Sequence, residues 1–197
     1  MGSAYRIGGA RAGVVVAFVV LGSLAACATT RSAPRQVASK TVAGCPVAAT
    51  STAQDTLAGR ACDAIGHLPQ SVQAVQTAYD AQTASVVVTV TVGGAVPLTD
   101  QQISAAQELT KTLSLREQQA MWGSGVTLKD VKVMVFGPTQ DEYANIIAQP
   151  YGSAVLHAAT AASFVWANLS ADSAWDRYDN VYLRPTFDIV DDLPAAP

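Results

Sequence analysis

The clearest pattern in the chain is the alternation from Ser85 to Val92, SVVVTVTV. Val86, Val88, Val90 and Val92 fall on one side, with Val87, Thr89 and Thr91 on the other. Successive side chains point to opposite faces of a strand, and β-branched residues suit a pleated surface, so this run predicts a strand with one buried face. A second run, about Lys129 to Phe136, sets Val131, Val133 and Val135 on one side, and Gly137-Pro138 predicts its end. A third, Asn180 to Val190, alternates Val181, Leu183, Phe187 and Ile189 with Tyr182, Arg184 and Asp188. Pro185 lies inside it and marks an edge strand or a bulge.

Elsewhere the apolar spacing is helical. Thr52 with Asp55 three residues on reads as a helix start, and Leu57, Ala58, Ala61, Cys62 and Ile65 then share one face until Gly66 and Pro69. Gln70 to Gln82 predicts a second helix with Val72, Val75, Ala78 and Tyr79 inward. Thr99 with Gln102 opens the next, burying Ile103, Ala106, Thr110 and Leu113. Ser114 with Glu117 repeats the capping pair and predicts a kink or restart before Trp122. Thr139 with Glu142 predicts a short helix carrying Tyr143, Ile146 and Ile147, and Ser153 to Leu169 predicts a last one burying Val155, Ala159, Ala162, Trp166 and Leu169. The expected fold is α+β. It has a small sheet of about three strands with a right-handed β-α-β unit, helices packed on one face, and two N-terminal helices.

Ahead of this lies a different texture. Arg6 and Arg11 stand in a leader without acids, and an apolar run from Val14 to Leu24 follows, interrupted only by Gly22 and Ser23. A basic start, a short apolar core and small residues at its end make a secretory signal peptide, and the run falls short of the ~20 apolar residues of a membrane span. Its end, Leu24-Ala25-Ala26-Cys27, resembles the lipobox of bacterial lipoproteins. That resemblance implies fatty acylation of Cys27, as by palmitate in a diacylglyceryl group, and cleavage just before it, leaving 171 of 197 residues. Two acyl chains hold a protein at a membrane where one holds it only marginally. The expected organisation is a signal peptide over 1–26, a lipidated N-terminus and flexible tether over 27–52, one globular domain over 53–190 and a frayed tail over 191–197.

Composition bounds the partners. Half the residues are hydrophobic, mostly Ala and Val, and only 14% are charged. A net charge of −3 and a pI near 5.2 argue against nucleic acid and against an electrostatic hold on anionic lipid. Cys45 and Cys62 remain beyond Cys27, and outside the cytosol an even remainder favours a disulfide, worth about 3 kcal/mol for so short a loop. The competing reading is a pair of free thiols with Cys62 as a small core residue.

Candidate chemistry is sparse. There is no Gly-x-Ser-x-Gly elbow, His67 lies beyond the helix that carries Cys62, and His157 has no metal-ligand spacing. Asp141-Glu142 reads as charge at a helix start and Asp191-Asp192 as part of a solvated tail. Gly93-Gly94 lacks the phosphate-cradling pattern. No catalytic residue, metal or cofactor is assigned. Trp175, Arg177, Tyr178, Tyr182 and Arg184 interleave aromatic and polar groups and form the candidate binding surface, against the alternative of a loop packing Trp175 over the sheet edge. The β-α-β unit with Leu113-Ser114 and Arg116 is similar to the OmpA-type peptidoglycan-binding domain, and the unit also resembles BON modules. The OmpA-type arginine falls one residue later and requires an aspartate in a glycine-containing loop, so no binding residue is carried over. The functional expectation is a non-enzymatic lipoprotein on the extracytoplasmic face of the cell membrane, binding a protein partner or an envelope component. The alternatives are a carrier of lipid or another apolar small molecule, and an envelope hydrolase with a dispersed site.

Overall fold

The computed structural model describes the backbone of residues 38–42 and residues 52–66 and 71–187 in full. One mixed sheet organises them. Its strands are β1 (Ala38–Val42), β2 (Val72–Asp80), β3 (Ser85–Val92), β4 (Asp130–Gln140), β5 (Ile146–His157) and β6 (Asn180–Leu183), side by side in sequence order. Every neighbouring pair is antiparallel except β3 and β4, which run parallel. Parallel neighbours need a crossover, and α2 (Asp100–Trp122) supplies it. The expected β-α-β unit is therefore present, inside a larger sheet than the three strands foreseen.

Both principal helices begin as the sequence predicts. In α1 (Ala53–Ile65) the Thr52 side chain accepts from the Asp55 N–H, and in α2 Thr99 and Gln102 form a full capping box. These side chains satisfy backbone N–H groups that the first helical turn leaves orphaned. The valines of β3 and β4 supply the sheet side of the core: Val86, Val88, Val90, Val131, Val133 and Val135 are buried against Leu57, Ala61, Leu113 and Met121. Fully burying a side chain of this kind is worth roughly 1.5–3 kcal/mol. A second cluster extends that layer over β5, where Ala154 and Leu156 meet Phe164, Trp175 and Tyr178. These aromatics come from the segment holding α3 (Ala158–Ala161), a 3-10 turn at Trp166–Asn168, and α4 (Ala171–Trp175). All the described helices thus cover the same face.

Four expectations give way here. Gln70–Gln82 is not a second N-terminal helix but contains strand β2. A register shift between Val72 and Ala74 puts Val72 and Val75 on the core side at a spacing of three, which imitates helical periodicity. Ser153–Leu169 is likewise no helix. Its first half continues β5, whose alternation of Ala154 and Leu156 against Ser153 and Val155 is blurred by small residues. Thr139–Glu142 caps no helix either, because Asp141 closes a hairpin by accepting from the N–H groups of Tyr143 and Asn145. Finally, α2 passes Ser114 unbroken, and both Ser114 and Glu117 are buried within it.

The boundaries shift for local reasons. Gly137-Pro138 does not stop β4, because Gly137 leaves room for the Tyr151 ring, whose hydroxyl donates to the Pro138 carbonyl at 2.7 Å. The strand expected over Asn180 to Val190 with Pro185 inside it is shorter: β6 stops at Leu183 and lies at the edge of the sheet, with Pro185 beyond its end. Ala38–Val42, expected within a tether, pairs with β2 as an edge strand. Cys27, Cys45, His67 and the 191–197 tail lie outside the described residues.

Candidate binding face

The register of the strands defines what the sheet presents on the side away from the helices. One row runs Ser85–Asp130–His157 across β3, β4 and β5. The next is Ala78–Val87–Lys132–Val155–Asn180, and the one after it is Gln76–Thr89–Met134–Ser153–Tyr182. Thr91 and Phe136 continue the face toward the far end of β4. Val87, Thr89, Met134, Phe136 and Tyr182 are half-buried by their neighbours, and no described helix packs over them. A strand buried on both sides reads as a continuous apolar run, whereas one facing a helix layer on one side alternates. Residues 85–92 and 130–140 alternate buried and half-buried positions without a break. The result is a surface of mixed polarity, graded from charged at the Asp130 end to apolar at Met134 and Phe136.

At the charged end Asp130 is the hub. It contacts His157 Nδ1 at 2.5 Å and accepts from the Ser85 hydroxyl at 3.2 Å. His157 also donates its backbone N–H to Asp179 at 2.7 Å, and Asp179 accepts from the Thr160 hydroxyl at 2.7 Å. Partial burial pushes the Asp179 pKa up, but those hydrogen bonds and the nearby imidazole outweigh it and hold the carboxyl below its ordinary value. An imidazole oriented by a carboxylate at Nδ1 is the arrangement of a general base. Among the described residues, however, no hydroxyl or thiol bonds the imidazole, and Ser85 is turned to the aspartate instead.

Beyond the apolar end, β4 and β5 continue as a hairpin arm. Its root is braced from the core side. Tyr151 packs over Gly137 and meets Phe187 edge-on at 4.3 Å, and the Phe187 carbonyl accepts from the Gln140 N–H. Burial pushes the Tyr151 hydroxyl up to about 12, with Arg184 opposing, so it remains a donor. At the tip Asp141 accepts from Asn145 through side chain and backbone, and from the Tyr143 N–H. The Asn145 side chain chiefly holds the Asp141 carboxyl below its usual range. Tyr143 and Ile146 project outward, 77% and 69% exposed, rather than packing inward as a helix reading expects.

The five residues singled out from the sequence are not brought together as one exposed surface. Trp175 and Tyr178 are buried in the second core cluster, and burial raises the Tyr178 hydroxyl pKa. Arg184 is 4% exposed, donating to the carbonyls of Thr186 and Pro150. Arg177 lies over the Phe164 ring at 4.4 Å and donates to Ser163. Tyr182 alone faces outward on the sheet. Trp175 does pack on the sheet, as the alternative expects, but from helix α4 rather than from a loop. Sequence reasoning missed Lys132, Met134 and Phe136, although alternation around Val131, Val133 and Val135 already placed them on the opposite side. Cys62 is buried at 4% exposure on the α1 face expected for it.

Two surface grooves accompany the face. One of about 370 Å³ lies between α1 and α2, lined by Arg60, Asp63, Ala64, Arg116, Gln119, Ala120 and Gly123. The other, about 330 Å³, is bordered by Trp122, Ala158, Ala161, Ala162, Phe164 and Trp166. Both open to solvent. Among the described residues no cluster of His, Cys, Asp and Glu has the makings of a metal site, and no helix is long and apolar enough to cross a membrane. No family model matches the chain, and neither a curated protein nor a solved structure matches it.

Proposed function

We propose that this chain is a lipoprotein of the cell envelope, held at the extracytoplasmic face of the cell membrane through acylated Cys27, and that its domain is a module that binds a protein partner. The lipobox carries the anchoring. The open sheet face carries the binding, because it is of mixed polarity and backed by a layer of helices that fixes its shape. Transient protein interfaces have this character, being about as apolar as ordinary surface with aromatic and methionine side chains at their centre. Phe136, Met134 and Tyr182 supply that centre, and Thr89, Lys132 and Asn180 its polar surround. The proposed Cys45–Cys62 bridge would fasten the segment before α1 to the domain.

The test has two parts. Mass spectrometry of the chain released from its own membranes should find acyl chains on Cys27 and the loss of two hydrogens at Cys45 and Cys62. Substituting Met134→Lys or Tyr182→Lys should abolish in-cell cross-linking to the partner while leaving the melting temperature within a few degrees. Unchanged cross-linking in both variants would remove the sheet face from consideration. One observation favours a second reading, a hydrolase: the Asp130–His157 contact orients an imidazole as a general base requires. Activity on envelope material that His157→Ala abolishes would replace the binding module with that enzyme.

A further inference from the structure

The hairpin tip and the groove between α1 and α2 are complementary. The tip presents one aromatic and one aliphatic side chain, Tyr143 and Ile146, beside the carboxylates of Asp141 and Glu142. The groove presents two guanidinium groups, Arg60 and Arg116, around a floor of Ala64, Ala120 and Gly123, with Asp63 the one acid. Among the described residues neither arginine lies within ion-pair distance of an acid, in a chain whose net charge is −3. The volume, about 370 Å³, is near the small end of the roughly 300–1,000 Å³ range of ligand clefts, a size for one or two side chains.

We propose that the hairpin tip of one copy of this chain docks into the α1–α2 groove of a second copy. Tyr143 fills the groove over Ala64 and Ala120, and Glu142 and Asp141 meet Arg116 and Arg60. Tyrosine and arginine are the residue types that dominate interface energetics, and desolvated opposite charges fix the register.

The contact cannot close within one molecule. Parallel strands joined by α2 place the end of that helix at the start of β4, where Gln118 donates to the Val131 carbonyl. The tip lies past Gln140, roughly 30 Å away at about 3.3 Å per strand residue. Tip and groove therefore sit at opposite ends of the domain. A heterologous contact of this kind propagates head to tail, forming a ring if the rotation closes and an open chain if it does not. The inference does not depend on what the sheet face binds.

The full acylated chain in detergent is the material to test, by sedimentation over a wide concentration range. Self-association is expected, weakened about tenfold or more by Tyr143→Ala with Glu142→Gln, and equally by Arg60→Glu with Arg116→Glu. These positions are exposed, and Asp141, which holds the hairpin turn, is left alone. The deciding experiment mixes the two double variants. One has an intact groove and the other an intact tip, so together they retain a single competent junction and should form a 1:1 dimer that grows no further. A photo-reactive side chain replacing Tyr143 should cross-link to residues 60–64 or 116–123 of another copy. A wild-type chain that stays monomeric at the highest soluble concentration overturns the proposal. So does a mixture that fails to yield the 1:1 dimer, or cross-links that fall only on other proteins or on lipid.

Discussion

Glu117 is the least comfortable of the described residues, and its replacement should stabilise the fold. It lies on the buried stripe of α2, one turn from Leu113 and one from Met121, with no exposure to solvent. Among the described residues neither carboxyl oxygen has a hydrogen-bond partner. Burial alone drives its pKa well above the ordinary carboxylate value, so the folded chain holds Glu117 as a neutral acid over a pH range where the unfolded chain has released that proton. The sign follows from linkage. The unfolded state binds fewer protons, so stability is fully present below about pH 4.3, the unfolded value, and falls as pH rises through the native one. Between those limits the loss is about 1.4 kcal/mol per pH unit. An unsatisfied buried polar group adds a cost of about 1–3 kcal/mol that pH does not remove.

Glu117→Gln should therefore flatten the pH dependence while keeping a polar group in place. Glu117→Leu should flatten it and raise stability by about 1–3 kcal/mol even at pH 4, since leucine completes the stripe. For a domain of this size that corresponds to a rise of about 2–10 °C in melting temperature, larger at pH 7. Denaturant titrations of the parent and both variants from pH 4 to 8 read the effect. Differences between chains cancel the other titrating groups, including Asp179 and Asp141, whose lowered pKa values withdraw stability in the opposite direction, as pH falls. Parallel pH profiles for the parent and Glu117→Gln would refute the reasoning. So would a destabilised Glu117→Leu at pH 7, which would mean that the carboxyl has a structural partner.

Three further substitutions probe the parts that position the surfaces. At Gly137 a Cβ would lie 2.4 Å from the Tyr151 ring, so Gly137→Ala should cost about 1–3 kcal/mol in denaturant and speed hydrogen exchange in the hairpin arm first. Thr99→Ala removes one half of the α2 capping box and should cost about 1 kcal/mol, with no change in the surfaces at either end of the domain. Ala144 sits at φ 63° in the hairpin turn, where a side chain is strained, and Ala144→Gly should raise the melting temperature slightly, corresponding to about 1 kcal/mol.

How much of this was legible in the sequence depended on how each element announces itself. Where one signal dominates, as in the valine ladder of β3 or the Thr99–Gln102 box, the reading holds. It fails where two local rules point the same way for different reasons. Val72 and Val75 look helical because a bulge lets a strand show a spacing of three. Ser153 to Leu169 looks helical because alanine is at home in both structures, and the pairing of β5 with β4 is a long-range choice that no local window contains. Asp141 reads equally as a first-turn acid and as the closing residue of a hairpin. The site follows the same logic. Trp175 and Tyr178 carry chemistry that suits a core as well as a surface, whereas Met134 and Phe136 carry no polar signal beside the valine alternation of β4. The groove with Arg60 and Arg116 joins residues far apart in the chain, and nothing short of the tertiary fold brings them together.

The pairing of Ala38–Val42 with β2 has a consequence for how the protein stands. If Cys27 carries the lipid, only eleven residue steps separate it from the first strand of the sheet. Eleven steps of chain span at most about 36–40 Å. The domain then has no stalk. It would be moored within that distance of the bilayer, short of the outer layers of the envelope. Whatever it meets would then have to come to the membrane surface, and neighbouring copies would meet one another in a plane rather than in a volume.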